Sequence, residues 1–157
     1  MKSKITLLLF SLAVSLLAGS LGSFFTQSSV SSWYLNLSKP VFNPPSYLFA
    51  PVWTFLFILI GVSLYLVLVS KAEKKIKNKA YILFAIQWLL NIGWSFCFFY
   101  LRNPLLGFIE IIMLLLAIIL TTFYFYKINK VAAYLLIPYI LWVSFASILN
   151  FSIWFLN

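Results

Sequence analysis

Histidine and aspartate are absent from this 157-residue chain, cysteine occurs once as Cys97, and the only acidic side chains are Glu73 and Glu110. These absences exclude a Ser-His-Asp triad, a paired-carboxylate glycosidase centre, a Cys/His zinc site and any internal disulfide. Charge of both signs is scarce, at 8% of residues, where a water-soluble domain carries about 25%. An ordinary soluble domain is therefore excluded. Disorder is excluded from the other side, because aromatic residues, which disordered chains lack, make up 20% of this one.

What the chain has is apolar length: 64% of its residues are hydrophobic. A helix crossing about 30 Å of hydrocarbon needs about 20 apolar residues. Five stretches meet that requirement, at 5–26, 48–70, 80–101, 105–126 and 131–156. They leave short polar joints and one real loop, 27–47. Long apolar runs without period-two alternation favour helices over a barrel, since both satisfy their backbone groups in lipid. The expected fold is an all-α integral membrane protein, a bundle of five transmembrane helices forming a single membrane domain over 1–157.

Met1-Lys2-Ser3-Lys4 before an apolar run, with small residues at Ala18 to Ser20, also fits a cleaved signal peptide. Four further spans, and small-xxx-small spacing at Ala18, Gly19, Gly22 and Ser23, favour a retained first helix. Of the Lys and Arg residues, Lys2, Lys4, Lys71, Lys74, Lys75, Lys77, Lys79, Lys127 and Lys130 fall on one side of the five spans; Lys39 and Arg102 fall on the other. The positive-inside rule then puts the N-terminus in the cytoplasm and the C-terminus outside. This topology accounts for the +9 net charge without nucleic acid, and favours an anionic lipid surface.

Candidate recognition residues are the polar groups and tryptophans within the spans. In the third span Gln87, Asn91 and Ser95 are spaced by four, with Trp94 and Phe98 beside them. One helix face thus carries a polar seam, which serves either interhelical hydrogen bonding or a ligand. The fifth span repeats the spacing with Trp142, Ala146 and Asn150, flanked by Tyr139 and Phe145, and Pro138 should bend it. The second contributes Trp53, Phe57 and Gly61, with Pro51 near its start. Trp53 and Trp154, close to helix ends, also fit interfacial anchors. The loop carries Trp33-Tyr34, Lys39-Pro40 and Phe42-Asn43-Pro44-Pro45, which cannot continue a helix; it forms either a lid or a passive connector. Glu110 reads as an interfacial acid, with a proton relay as the alternative, and Cys97 as a small packing residue.

These residues resemble the tryptophan-rich sensory protein and translocator protein family, also called the peripheral-type benzodiazepine receptor family. The resemblance covers nearly the whole chain. It rests on Trp33-Tyr34, Lys39-Pro40 and Phe42-x-Pro44-Pro45; on Phe49-x-Pro51-x-Trp53; and on Gln87-x-x-x-Asn91-x-x-Trp94-Ser95. The fourth block is Leu136-x-Pro138-Tyr139-x-x-Trp142-x-x-Phe145-Ala146-x-x-Leu149-Asn150, with Trp154 and Leu156-Asn157 after it.

The resemblance implies a five-helix bundle, commonly a homodimer, with a pocket under the first loop for tetrapyrroles such as protoporphyrin or haem, and in animal members for cholesterol and drugs. Its pocket positions carry over onto Trp33, Tyr34, Trp53, Gln87, Asn91, Trp142, Ala146 and Asn150; spacing adds Phe57 and Trp94 to the ligand-binding set. Lys39 or backbone donors at the mouth would meet the propionates of a porphyrin. The animal cholesterol pattern needs a Tyr followed by a basic residue at the end of the fifth helix, where this chain has Phe151 and no basic residue, so cholesterol is not carried over. Without His, imidazole ligation of haem iron is impossible and thiolate ligation would need Cys97; free-base porphyrin fits better. No cofactor is required and no metal site is expected.

Three functions follow as expectations. The first is a membrane receptor or carrier for porphyrin-type molecules, acting in tetrapyrrole transport or stress regulation. The second, implied by the resemblance, is light- and oxygen-dependent porphyrin degradation assisted by Trp53 and Trp142. The third is a structural partner protein. The lysine-marked chain without a transit peptide points to a bacterial cytoplasmic membrane, with an organellar membrane as the alternative.

Overall fold

In the computed structural model, which describes residues 2–157, the chain is all helical. Helix α1 spans Lys2–Gln27, α2 Ser46–Leu68, α3 Lys74–Ser95, α4 Pro104–Ile128, α5 Lys130–Tyr134 and α6 Ile137–Leu156. Five segments are long and apolar enough to cross a membrane: α1, α2, α3 with its extension to Tyr100, α4, and α5 with α6 in line.

The ends of these helices follow local chemistry. Helix α3 begins at Lys74, six residues before the apolar run at Ala80, because lysine is a good helix former and the helix emerges from the apolar layer before it stops. At its other end α3 passes into a π-helical turn, Phe96–Tyr100, closed by Leu101 N–H donating to Phe96 O at 2.9 Å. Arg102 then turns the chain with φ 52°, the one left-handed non-glycine among the described residues. Asn103 caps α4, its side chain accepting from Leu106 N, and Pro104 occupies the first turn where no donor is needed. The bend expected at Pro138 is realised as an interruption at Leu135 and Leu136, after which α6 restarts with Pro138 in its first turn.

The helices form a closed ring. α1 packs on α2 and α3, α3 on α4, and α4 on α5 and α6, while α2 closes the ring against α5 and α6. Close approach in the half of the bundle away from the long loop comes from small residues. A Cβ on Gly61 would lie 2.9 Å from Leu12 Cα, so the α1 and α2 backbones are in contact there. Hydroxyls and an indole bond across helices to main-chain carbonyls: Ser15 Oγ to Phe57 O at 2.6 Å, Ser63 Oγ to Ala132 O at 2.6 Å, and Trp88 Nε1 to Val14 O at 2.8 Å. This half is filled by a large apolar cluster that includes Leu64, Val67, Phe84, Ile118 and Phe125. A second, aromatic cluster of Tyr34, Phe98, Phe99, Leu149 and Ile153 sits at the loop end. Between them the ring encloses a cavity.

Candidate functional site

The cavity has a volume of about 690 Å³ and lies between α1, α2, α3 and α6, beneath the loop 28–45. Its size is in the range of about 300–1,000 Å³ typical of small-molecule sites. Eight of the ten residues expected from the sequence line it: Tyr34, Trp53, Phe57, Asn91, Trp94, Trp142, Ala146 and Asn150. They converge because each of the three helices turns the same i, i+4 stripe toward the ring axis.

Trp33 and Gln87 do not line it. Trp33 is half-buried in the aromatic cluster, edge-on to Phe98 with ring centroids 5.6 Å apart, and helps to hold the loop down. Gln87 lies one turn below Asn91, under the cavity floor. There Tyr139 Oη donates to Gln87 Oε1 at 3.0 Å while accepting from Asn91 Nδ2 at 2.7 Å. The polar seam of α3 therefore splits in two, its lower part cementing α3 to α6 and its upper part facing the cavity.

Both cavity amides also serve the bundle. Asn150 accepts from Trp94 Nε1 at 2.9 Å and donates to Pro104 O at 2.7 Å, joining α3, α4 and α6. A side chain on Gly107 of α4 would crowd this amide, its Cβ lying 3.1 Å from Asn150 Oδ1. The remaining walls are aromatic. Trp53 stacks on Phe57 at 5.5 Å and meets Tyr139 edge-on at 6.2 Å, while Phe49 meets Trp142 edge-on at 6.0 Å. Trp142 Nε1 is buried without a hydrogen-bond partner, the only such donor among the described residues.

The loop is a lid fixed at several points. Tyr34 Oη donates to Asn43 Oδ1 at 3.2 Å, Lys39 Nζ stands 4.7 Å above the Tyr34 ring, and Phe42 packs on Phe145. Arg102 Nε donates to Ser29 Oγ at 3.1 Å. Asn157 grips Ser38 twice: its Oδ1 accepts from Ser38 N and its Nδ2 donates to Ser38 O, both at 2.9 Å. Burial pushes the Tyr34 phenol above its ordinary value, opposed by the hydrogen bond to Asn43.

The sequence reading missed the contribution of α1. Gly19, Ser20, Gly22 and Ser23 line the cavity; their small-residue spacing was legible, but as helix packing. Phe98 and Phe99 line it together because the π-helical turn shifts the register after Ser95, and no composition signal marks such a turn. Glu110 is buried between α3 and α4, its Oε1 only 2.9 Å from where a Cβ on Gly93 would stand and its Oε2 without a partner. Neither Glu110 nor Cys97 lines the cavity. A haem iron in it would meet no imidazole and no thiolate; the Tyr34 phenol is in the lining.

Residues 11–155 match the sequence profile of the TspO/MBR family. The chain belongs to this family. It is 45% identical to the tryptophan-rich protein TspO of Chlorobaculum tepidum, over 100% of this chain and 99% of the relative. It is 46% identical to the tryptophan-rich protein TspO of Archaeoglobus fulgidus, over 96% of each. Similarity extends to the human translocator protein, at 33% identity over 88% of this chain and 85% of the relative. Family membership and five apolar helices together make this an integral membrane protein, with the bilayer as its solvent.

Proposed function

We propose that the protein is a membrane receptor or carrier that binds porphyrin-type tetrapyrroles in the cavity beneath the first loop, in tetrapyrrole transport or stress regulation. The observation that carries this reading is the lining itself. Trp53, Trp94 and Trp142 supply flat apolar walls to one cavity, with Asn91 among them. A macrocycle that is apolar on its faces and polar at its edge suits aromatic walls interrupted by few amides. Lys39 of the lid is the expected partner of an acidic edge group; it lies outside the cavity lining, where its Nζ donates to Leu35 O and Leu37 O, and would have to turn inward to do so. The name translocator protein, carried by the human relative, is in keeping with a carrier.

The reading includes a homodimer in a bacterial cytoplasmic membrane, with the lysine-rich end of the bundle on the cytoplasmic side. A second reading, porphyrin photodegradation, is favoured by one observation: Trp53 and Trp142 face the same cavity. With no conventional acid, base or nucleophile there, it would rely on the photosensitising substrate and on tryptophan chemistry.

Protoporphyrin titrated against the purified protein, followed by tryptophan quenching in the dark and then in light, tests both. Saturable quenching weakened by Trp142→Phe is the expected result. Loss of the porphyrin absorption band in light, stopped by Trp142→Phe, would favour the enzyme. Quenching no different in the variant would overturn the assignment of the cavity as the tetrapyrrole site.

A further inference from the structure

We infer that the outer face shared by α3 and α4 seats one anionic phospholipid, its phosphate between Lys79 and Lys127 and its acyl chains along two rows of exposed apolar side chains. The charge and the shape of this face carry the inference, whatever the cavity binds.

Lys79 of α3 and Lys127 of α4 are exposed, and both ammoniums lie over the Tyr124 ring, at 6.0 Å and 5.5 Å from its centroid. Two like charges drawn to one ring repel each other, and among the described residues neither is ion-paired or hydrogen-bonded. Lys77, by contrast, is consumed by the fold, its Nζ donating to Leu68 O and Ser70 O, both at 3.0 Å. Glu73 is the one acid at this end of the bundle. The first turn of α3 holds no acid and begins with Lys74 and Lys75, cations at the pole of the helix dipole that favours anions. The lysines at the start of α3 therefore do not serve the helix that carries them. A phosphate between Lys79 and Lys127 relieves their repulsion, and the Tyr124 hydroxyl is a further donor at the same place.

Away from each lysine runs an apolar row at the three- and four-residue spacing of a single helix face: Ile82, Ile86 and Leu89 on α3, and Phe123, Leu120 and Leu116 on α4. All six are exposed, and none lines the cavity. The rows adjoin. Gly93, on the same face of α3, abuts Glu110 of α4, while Lys79 meets Tyr124. This antiparallel register sets Ile82 level with Leu120 and Ile86 level with Leu116. From Lys79 to Leu89 the helix rises about 15 Å, half of the roughly 30 Å of hydrocarbon and hence the depth of one leaflet. The face thus offers paired cations at one end and, beside them, apolar rows as long as one leaflet is deep. A second copy of the chain suits it less, because two such faces side by side would bring like charges together.

The test uses the full-length protein, delipidated in detergent and titrated with phosphatidylglycerol, with bound lipid counted by native mass spectrometry. The parent protein should hold one phosphatidylglycerol tightly. Lys79→Gln combined with Lys127→Gln should weaken that binding about 30-fold, on the order of 1 kcal/mol for each lysine. Lys79→Arg with Lys127→Arg should keep it. The control pair Lys71→Gln with Lys74→Gln, which removes the same charge from the same end, should leave it nearly unchanged. Equal losses in the two glutamine pairs would reduce the seat to diffuse attraction by a basic surface and overturn the inference. Retention of phosphatidylcholine as strong as that of phosphatidylglycerol would overturn it too, since no anion is then selected. Inorganic phosphate that raises the unfolding temperature as much as phosphatidylglycerol does would assign the lysines to a soluble anion instead. In a Cys97→Ser background, Leu89→Cys or Leu116→Cys that cross-links two copies in phosphatidylglycerol membranes would show a second copy covering the rows, and would also overturn the lipid seat.

Discussion

Asn91 on α3 and Tyr139 on α6 are joined by a 2.7 Å hydrogen bond at the floor of the cavity, and Tyr139 passes the interaction on to Gln87. Tyr139 and Gln87 are both buried, so at Gln87 water does not readily replace the lost hydroxyl. Tyr139→Phe keeps the ring and its edge-on contact with Trp53 but strands an amide donor and an amide acceptor. The expected cost is about 1–2 kcal/mol, at the upper end for hydrogen bonds between membrane helices. Thermal unfolding in detergent measures it, and a shift within error would mean that the two amides find other partners.

The same pair shows how far the sequence could be read. Spacing put Gln87, Asn91 and Ser95 on one face, and the structure keeps them there, but periodicity does not say at which turn a face passes from cavity to packed core. That depends on the approach of the neighbouring helices, set by contacts such as Gly61 with Leu12. Hydropathy located all five spans because lipid imposes a length on each. It placed the start of the third late, since it registers lysine as an end where the backbone continues as helix to Lys74. The burial of Glu110 was not legible for a related reason: distance from a helix end says nothing about whether a side chain points outward or toward Gly93. The lid clamp between Ser38 and Asn157 spans nearly the whole chain, and no local pattern announces it.

Gly61 is where the α1 and α2 backbones touch, and its replacement tests the packing directly. A Cβ there would stand 2.9 Å from Leu12 Cα and 3.1 Å from Ser11 O, and backbone atoms cannot rotate away. Gly61→Ala should destabilise the fold by about 1–3 kcal/mol, the usual cost of overpacking. Gly22→Ala should cost less, because the nearest atom is the Ser95 hydroxyl at 3.1 Å, which can move. Paired thermal melts check the order, and equal shifts would refute it.

The lid should respond to alkali through Tyr34. Its phenol is raised above the ordinary value of 10.0 by burial, so the folded lid favours the neutral form. The stabilisation is fully present below pH of about 10 and is lost as pH rises through the raised folded value. The difference between the ultraviolet titrations of the parent and Tyr34→Phe should show a phenol that ionises later than an ordinary exposed tyrosine. Hydrogen exchange at residues 34–43 should quicken in the same alkaline range. A Tyr34 that ionises with the exposed tyrosines would contradict the buried, neutral lid.

Glu110 carries a buried carboxyl oxygen for which the described residues provide no partner. Its Oε2 is buried without a hydrogen bond, and no lysine or arginine among the described residues pairs with it. Leaving such a group unsatisfied costs about 1–3 kcal/mol, whereas an apolar residue of similar shape removes that cost and keeps the packing against Gly93. Glu110→Leu is therefore expected to raise the unfolding temperature, Glu110→Gln to leave it nearly unchanged, and Glu110→Lys to lower it sharply. Because Glu110 lies outside the cavity lining, porphyrin titrations of the Leu and Gln variants should match the parent protein. A destabilised Glu110→Leu would mean that the carboxyl makes an interaction essential to the α3 and α4 interface. A Gln variant that binds normally but loses pH-dependent flux would instead assign the group to proton coupling.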